Sequence, residues 1–281
     1  MSSHFLMCSP QFFDVKYSIN PWMENQIGRV DVSSAMRQWN DFYKALSRVA
    51  EVSLIAPQPG VPDMVFTANA GFCFDGSIVL SRFCKPERQK EEGFFKEWFQ
   101  TQGFPVIDMG DADCFEGAGD VLAQPDGKRV WAGYGFRTSL RAQESLAATL
   151  KRPLVFLKLN DPRFYHLDTC FCPLPDGYAM YYPQAFDADS LRRIEEYLPL
   201  ERRIIVSDED ALQFACNAVS VGRFIFMNQC SATLEKRLGS AGFKVIRQPV
   251  PDFLKAGGAN KCLTLDTSVR LYGKETKDRA A

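Results

Sequence analysis

The chain repeats one pattern of hydrophobic and polar positions, which predicts two short strands, a helix and a third strand. In the first repeat, residues 71–82 alternate between apolar and polar side chains on either side of Asp75 and Gly76, which is typical of a β-hairpin. Residues 87–102 then place aromatic side chains on one helical face, and the apolar run at 104–108 predicts a strand. Each repeat is therefore expected to form one ββαβ unit.

The pattern returns three more times at a nearly constant spacing. The predicted hairpin turns lie at residues 75, 126, 176 and 222, which are 51, 50 and 46 residues apart. A fixed period of this length is typical of a repeat architecture. The further hairpins are predicted at 120–133, 168–182 and 217–227, the helices at 139–150, 189–198 and 232–242, and the third strands at 154–159, 202–207 and 243–248.

A fifth unit is split between the two ends of the chain. Residues 33–50 predict an amphipathic helix and residues 52–56 a strand, while the hairpin that should precede them is predicted at 262–273. Ends that complete one unit close a ring, and no long linker interrupts the chain. The expected fold is α/β, a five-fold pseudosymmetric ββαβ propeller that forms a single domain over residues 1–281.

Composition and charge exclude several classes of protein. Apolar residues make up 46% and charged residues 24% of the chain, which is typical of a globular protein with a sizeable core and excludes disorder and a coiled coil. With 33 basic and 34 acidic residues the net charge is −1, so the chain has no overall field to attract nucleic acid or an anionic membrane. We therefore expect a partner to be recognised at a local site.

We expect neither a secretory signal nor a membrane-spanning segment in this sequence. No stretch approaches the ~18 consecutive apolar residues that span a bilayer, and the N-terminus lacks the features of a secretory signal. The nine cysteines are an odd number scattered along the sequence, which indicates reduced thiols rather than a disulfide framework. A cytoplasmic location is expected, and a homo-oligomer is left open.

The residues just before each predicted hairpin are polar, titratable or nucleophilic. The same place in each repeat should project to the same end of the central axis, so these groups are expected to converge in one concave site. They are Asn69, Glu116 to Asp120, His166 to Asp168, Asn217 and Cys262.

Three of these residues suffice for nucleophilic catalysis. Cys262 follows the flexible segment GGAN and the basic Lys261, which favour a thiolate. His166 is one of only two histidines, and the other, His4, lies in the N-terminal region beside a strand. With Glu116, they supply a nucleophile, a proton shuttle and an orienting carboxylate, so no cofactor is expected.

A zinc site is the alternative to this arrangement. His166, Cys170 and Cys172 lie close together in HLDTCFC, as metal ligands often do. A structural zinc site takes four ligands at typical spacings, and the sequence offers no second cysteine pair to complete it. We therefore expect no metal.

Two carboxylates and two arginines are candidates for substrate binding. Asp63 and Asp168 could bind a planar cation by paired hydrogen bonds, or serve as a turn residue and as a partner of His166 respectively. Arg88 and Arg137 could hold a substrate carboxylate. The alternatives are surface solvation for Arg88, which lies in a charged helix start, and a structural ion pair for Arg137.

The sequence contains, in order, the motifs PDMVFTANAG, FEGAGDVL, GYGFRTS, FYHLDTCF, CNAVSVG and GGANKCLTL. In these motifs it resembles the guanidino-group modifying superfamily, which has the pentein fold, and the resemblance extends over nearly the whole chain. The superfamily includes arginine deiminases, dimethylarginine dimethylaminohydrolases, amidinotransferases and arginine dihydrolases. The resemblance implies a small guanidino substrate.

The resemblance also implies a covalent mechanism. The Cys262 thiolate attacks the guanidinium carbon, and His166, held by Glu116, protonates the departing amine and then activates water. Asp63 and Asp168 grip the guanidinium nitrogens.

One position distinguishes between members of the superfamily. Asn69 lies in TANAG, which is similar to cyanobacterial-type arginine dihydrolase domains, where deiminases and methylarginine hydrolases have a carboxylate nearby. A neutral amide can bond to a guanidinium or a ureido group, so it favours two hydrolyses that give ornithine, carbon dioxide and two ammonia molecules. The dihydrolase domains also share the INPWM segment, in which Asn20 is expected to line the pocket.

Other functions stay open beside the dihydrolase. A dimethylarginine hydrolase or a single-step deiminase would stop at citrulline. A non-catalytic pentein that acts as a binding module, as in the ribosome anti-association factor of this fold, would lack Glu116, His166 and Cys262, which are all present.

Overall fold

The protein forms five small sheets of three strands each. A computed structural model describes residues 3–107, 109 and 113–272. The strands are β1 His4–Cys8, β2 Glu51–Ile55, β3 Gly71–Phe74, β4 Ser77–Leu80, β5 Val106–Ile107, β6 Val121–Ala123, β7 Val130–Tyr134, β8 Val155–Lys158, β9 Phe171–Pro173, β10 Ala179–Tyr181, β11 Arg203–Ile205, β12 Val219–Val221, β13 Phe224–Met227, β14 Lys244–Arg247 and β15 Leu265–Asp266. The helices are α1 Val32–Leu46, α2 Glu91–Thr101, α3 Leu140–Leu150, α4 Ala188–Tyr197, α5 Asp208–Leu212, α6 Ala232–Ser240 and α7 Pro251–Leu254.

Every sheet has the same internal arrangement, as the repeat predicted. The first two strands pair antiparallel and the second and third pair parallel, in the orders β3-β4-β5, β6-β7-β8, β9-β10-β11 and β12-β13-β14. The first hairpin turns at Asp75 and Gly76, whose φ angles of 47° and 79° are both positive, as a tight two-residue turn of this kind requires. A helix covers the crossover from the second strand to the third, because parallel strands need a long connection.

The helices bury the apolar faces that their periodicity predicts. Phe95 and Phe99 of α2 and Trp39 and Phe42 of α1 are buried in the core. The helix predicted over 87–102 begins only at Glu91, since the preceding residues form turns. The strand predicted at 104–108 is present as β5, and its last residue lies outside the described residues.

The fifth sheet corrects the sequence-based prediction. No hairpin forms within the described part of 262–273: β15 pairs antiparallel with β1, and β1 pairs parallel with β2. The two terminal regions thus contribute one strand each to an antiparallel pair that replaces the hairpin, and His4, expected beside a strand, lies within β1.

The segment after β15 turns away from its own sheet. The Asp266 carboxylate accepts hydrogen bonds from Ser268 N and Oγ, which bends the chain. Residues 269–272 then run along the hairpin turns of the first two units, where Val269 O accepts from Asp75 N and Tyr272 N donates to Gly127 O. Gly273, the last residue of the predicted hairpin, lies outside the described residues.

Three short 3-10 turns, each just before the first strand of its sheet, contain or adjoin residues of the site. The turn at Gly117–Gly119 packs against both the turn at Thr67–Ala70 and the turn at Leu167–Thr169. All nine cysteines are free thiols. Within the ranges given above, none of the helices is both long and apolar enough to cross a membrane.

Candidate active site

Cys262 lies buried between an amide and a carboxylate. Its Sγ accepts a hydrogen bond from Asn217 Nδ2 at 3.1 Å, and its thiol faces the Asp168 carboxylate, with Sγ 3.6 Å from Oδ2 and 3.8 Å from Oδ1. Burial, and then the charge of Asp168, raise the pKa of this thiol above its ordinary value. The free site therefore holds Cys262 as a thiol.

The glycines before Cys262 allow its loop to approach its neighbours closely. Gly257 has a φ of 80°, and a Cβ there would lie 2.9 Å from both Asn20 Oδ1 and Tyr165 OH. A Cβ on Gly258 would lie 2.5 Å from the Phe66 ring. Side chains at these positions would displace the segment that carries Cys262.

His166, Glu116 and Arg137 form a buried hydrogen-bonded chain. His166 Nε2 lies 2.8 Å from Glu116 Oε2, and Arg137 Nη1 donates to the same oxygen at 3.1 Å. Burial alone would raise the pKa of Glu116, but Arg137 and His166 outweigh it and lower that pKa to about 2. Glu116 is therefore ionised and orients both partners.

Asp168 serves the thiol rather than the histidine. The sequence left it as a cation ligand or as a partner of His166, and His166 Nε2 bonds to Glu116 instead. Burial raises the pKa of Asp168 to about 7, against the opposing charge of Lys261. Lys261 itself points away from Sγ, since its Nζ donates to Ala118 O and Thr264 O.

Asp63 presents one free carboxylate oxygen to the site. Its Oδ2 accepts from Tyr17 OH at 2.8 Å, and its Oδ1 is buried without a hydrogen-bond partner among the described residues. Burial raises the pKa of Asp63, and the charge of Arg88 opposes that rise. A buried unpaired oxygen of this kind favours a cationic donor as its partner.

Arg88 is buried, so the alternative of surface solvation is wrong. Its Nε and Nη2 donate to both carboxylate oxygens of Glu91 at 2.9 and 2.7 Å. Its Nη1 donates to Asn69 Oδ1 at 2.8 Å, and Nη2 also reaches Asp63 O at 3.1 Å. Helix α2 thus begins with the buried Glu91, whose carboxylate holds Arg88 in hydrogen-bond contact with Asn69.

Arg137 forms the ion pair that was its alternative role. Besides Glu116, its Nη2 donates to Ile19 O at 2.9 Å, and its guanidinium lies 4.6 Å from the centre of the Tyr165 ring. The clamping of a substrate carboxylate by Arg88 and Arg137 stays a prediction.

Asn20 borders the cavity from the N-terminal segment. Its Nδ2 donates to Ala256 O at 3.0 Å, and its Oδ1 caps the short turn Pro21–Met23. The cavity holds only about 10 Å³, room for about one water, so a larger ligand requires its walls to move. Its lining comprises Ile19, Asn20, Met23, Asp63, Phe66, Asn69, Arg88, Arg137, Tyr165, Ala256, Gly258 and Cys262.

Sequence reasoning missed three residues of this arrangement. Glu91 could have been found, since it follows Arg88 by three residues at a helix start, a spacing that allows an ion pair. Asn217 was recognised among the residues before the hairpins but given no role. Nothing in the sequence around Tyr17 indicates a role in the site.

No cluster of three or more metal-binding side chains occurs among the described residues, and Cys170 and Cys172 donate to backbone carbonyls.

Curated relatives match nearly all of this chain. The bifunctional arginine dihydrolase/ornithine cyclodeaminase ArgZ of Synechocystis sp. is 52% identical over 92% of the chain, which spans only 37% of that relative. The N(G),N(G)-dimethylarginine dimethylaminohydrolase of Mycobacterium tuberculosis is 40% identical, over 93% of the chain and 85% of the relative.

Solved structures agree with the fold. The N-terminal domain of ArgZ, as a cysteine-to-serine variant bound to substrate, has a TM-score of 0.95 and 50% identity, and the match covers 96% of this chain and 100% of that one. A dimethylarginine dimethylaminohydrolase adduct has a TM-score of 0.80 over 95% of this chain and 100% of that one, at 19% identity, which shows the shared pentein fold. The family model for eukaryotic N,N dimethylarginine dimethylhydrolase matches residues 19–269. The chain therefore belongs to the dimethylarginine dimethylhydrolase family.

Proposed function

We propose that this protein hydrolyses the guanidino group of free arginine twice, with Cys262 as nucleophile. Arginine and water give citrulline and ammonia, and citrulline and water give ornithine, carbon dioxide and ammonia. The observation that carries the proposal is the pairing of a buried cysteine with Asp168 in a site whose other wall is the neutral amide of Asn69.

The first step forms a bond between Sγ and the guanidinium carbon. A guanidinium bound between Asp63 and Asp168 brings a positive charge next to Sγ, which offsets the charge of Asp168 and favours the thiolate. The thiol proton passes to His166 as the thiolate forms. Sγ adds to the carbon, a proton passes to one terminal nitrogen, and ammonia leaves. A thiouronium remains on Cys262.

In this scheme His166 first donates a proton to the leaving nitrogen and then accepts a proton from water. Its hydrogen bond to the ionised Glu116 stabilises the positive charge that the ring carries before it donates to the leaving nitrogen. The neutral ring then takes a proton from water, whose oxygen attacks the thiouronium carbon. The C–S bond breaks and citrulline forms.

Asn69 is the residue that supports a second cycle. A carboxylate there would select for a cation, whereas the amide tolerates the neutral ureido group. ArgZ was solved as an asparagine-to-serine variant covalently bound to a reaction intermediate. The replaced asparagine and the cysteine replaced in the substrate complex have the same separation in sequence as Asn69 and Cys262.

The stoichiometry of products tests the proposal. Purified protein is incubated with arginine, and ammonia, citrulline and ornithine are measured as the reaction runs to completion. Two ammonia molecules and one ornithine per arginine support two hydrolyses, while one ammonia and one citrulline would contradict them. Cys262→Ala protein is the blank.

A dimethylarginine hydrolase is the second candidate, because the family model and the Mycobacterium tuberculosis relative favour it. Such an enzyme would release dimethylamine and citrulline from asymmetric dimethylarginine. Comparison of kcat/KM for arginine and for dimethylarginine distinguishes the two, and we expect arginine to be preferred.

We also propose that residues 1–281 act as one domain in the cytoplasm. The support is the closing of one sheet by strands from both termini, together with nine free thiols.

A further inference from the structure

We propose that Asn217 is a positioning residue that docks the loop of Cys262 and supplies the hydrogen bond that stabilises its thiolate. This inference rests on the proposed role of Cys262 as nucleophile. It adds a fourth side chain to Cys262, His166 and Glu116, and it assigns to that side chain a direct contact with the reacting sulfur.

Every hydrogen-bonding group of the Asn217 side chain is used. Oδ1 accepts from Ala259 N and from Cys262 N, both at 3.1 Å. Nδ2 donates to Asp168 O at 3.0 Å and to Cys262 Sγ at 3.1 Å. The residue is fully buried, so water does not compete for these bonds.

The network fixes the orientation of the amide. Two backbone N–H groups converge on one side of it, and these can only donate, so that side must be the oxygen. The nitrogen then faces Sγ and the carbonyl of Asp168, both acceptors. A donor is thereby aimed at the sulfur whatever the protonation state of Cys262.

The backbone of Asn217 adds a further anchor for the same loop. Its carbonyl accepts from Lys261 N at 3.1 Å, and with the two bonds to Oδ1, three amides between Ala259 and Cys262 end on one residue. Through Asp168 O the side chain also links the third unit to the fourth. The position of Sγ relative to Asp168 is thus set by Asn217.

The charges around Cys262 make its thiolate depend on the N–H donor of Asn217. Burial and the adjacent Asp168 both oppose ionisation of Cys262. A hydrogen bond to a charged acceptor is about twice as strong as one between neutral groups, so the N–H of Asn217 stabilises the thiolate more than the thiol. Replacing this donor with an acceptor should suppress the thiolate.

The test is alkylation of Cys262 by iodoacetamide in the intact protein, measured by peptide mass spectrometry between pH 7 and pH 10. Asn217→Asp keeps the shape and the acceptor for the two amides, but places a second carboxylate beside Sγ. Below the midpoint of titration the rate follows the thiolate fraction, so we expect Cys262 to react about tenfold more slowly at each pH, as for a rise of about one pKa unit. A faster rate would show only a loosened loop and would contradict the stabilisation of the thiolate by Asn217.

Asn228→Asp is the matched control. Asn228 is also buried and also binds a backbone amide, Val250 N at 2.9 Å, while its Nδ2 donates to Gln213 O. We expect Cys262 in the Asn228→Asp variant to be alkylated at the wild-type rate. An unchanged rate in Asn217→Asp, or an equal fall in Asn228→Asp, would overturn the proposal.

A second variant keeps the test decisive if Asn217→Asp does not fold. Asn217→Ser is too short to reach Sγ or to hold both loop amides, so hydrogen exchange of the Ala259 and Cys262 amides should become faster. Exchange and alkylation that both stay at the wild-type rates would contradict the inference. Alkylation does not require turnover. Activity retained in Cys262→Ala would refute the proposed function by a separate measurement.

Discussion

Arg88 donates a hydrogen bond from Nη1 to Oδ1 of Asn69 over 2.8 Å, and both residues are buried. The bond turns the amide oxygen of Asn69 toward Arg88 and its nitrogen toward Glu116 O, 3.5 Å away. Arg88 itself is held by the two hydrogen bonds that its Nε and Nη2 donate to the Glu91 carboxylate. The residue that is proposed to select the product is thus oriented by a buried ion pair on the adjacent helix.

Loss of Glu91 should destabilise the fold strongly. Glu91→Ala leaves the guanidinium of Arg88 buried with its main partner removed, and an uncompensated buried charge costs about 3–5 kcal/mol. Urea denaturation measures the free energy of unfolding. The control is Glu235→Ala, which breaks the exposed pair with Arg247 and should cost ~0–1 kcal/mol. Equal losses in the two variants would contradict the structural role of Glu91.

Removal of the thiol should stop turnover and leave the fold intact. Cys262→Ala and Cys262→Ser provide no thiolate, so we expect no detectable ammonia from arginine, with a circular dichroism spectrum like that of the wild type. In His166→Ala, which lacks the proton shuttle, mass spectrometry should find an adduct on Cys262. Substantial activity in Cys262→Ala would refute the covalent mechanism.

Arg137 is expected to affect both catalysis and substrate binding. Arg137→Ala removes the cation that pairs with Glu116, so kcat should fall for any guanidino substrate. If Arg137 also holds the substrate carboxylate, KM should rise steeply for arginine and hardly at all for agmatine, which lacks that group. Steady-state kinetics with both substrates separate the effects. Equal changes in KM would leave Arg137 with the ion pair alone.

We expect activity to require glycine at position 119, because the site leaves no space for a side chain there. A Cβ there would lie 2.4 Å from Asn69 Nδ2 and 3.2 Å from His166 Cγ, so Gly119→Ala must displace one of them. We expect kcat/KM for arginine to fall at least tenfold, equivalent to about 1.4 kcal/mol. Gly239→Ala is the control, since no atom beyond its chain neighbours and its own helix backbone lies within 4 Å of the added Cβ. Comparable activity in the two variants would show that the site absorbs the added methyl group.

The repeat could be predicted because its signals are local. The turn at Asp75 and Gly76 and the aromatic face of α2 are each encoded within a few residues. The fifth hairpin is different, since β1 and β15 lie at opposite ends of the chain and only tertiary packing pairs them. A local pattern in 262–273 therefore suggested a hairpin that the fold does not form.

The same distinction applies to the site. Position in the repeat was enough to bring Cys262, His166 and Glu116 to one region, because equivalent turns of the units pack together. The pairing of side chains was not predictable in this way. Whether His166 bonds to Glu116 or to Asp168 depends on distances that only the packed structure sets.

Replacement of Asn69 by aspartate should change the product. Asp at this position keeps nearly the same shape and can still accept from Arg88 Nη1, so the fold and the position of Arg88 should be retained. Its charge would favour the cationic guanidinium of arginine over the neutral ureido group of citrulline. We expect Asn69→Asp to release mainly citrulline and about one ammonia per arginine, where the wild type yields ornithine and about two. Chromatography of the products from both proteins at equal conversion measures this. Ornithine formed equally by both proteins would show that Asn69 does not select the product, and citrulline alone from the wild type would favour a single-step hydrolase.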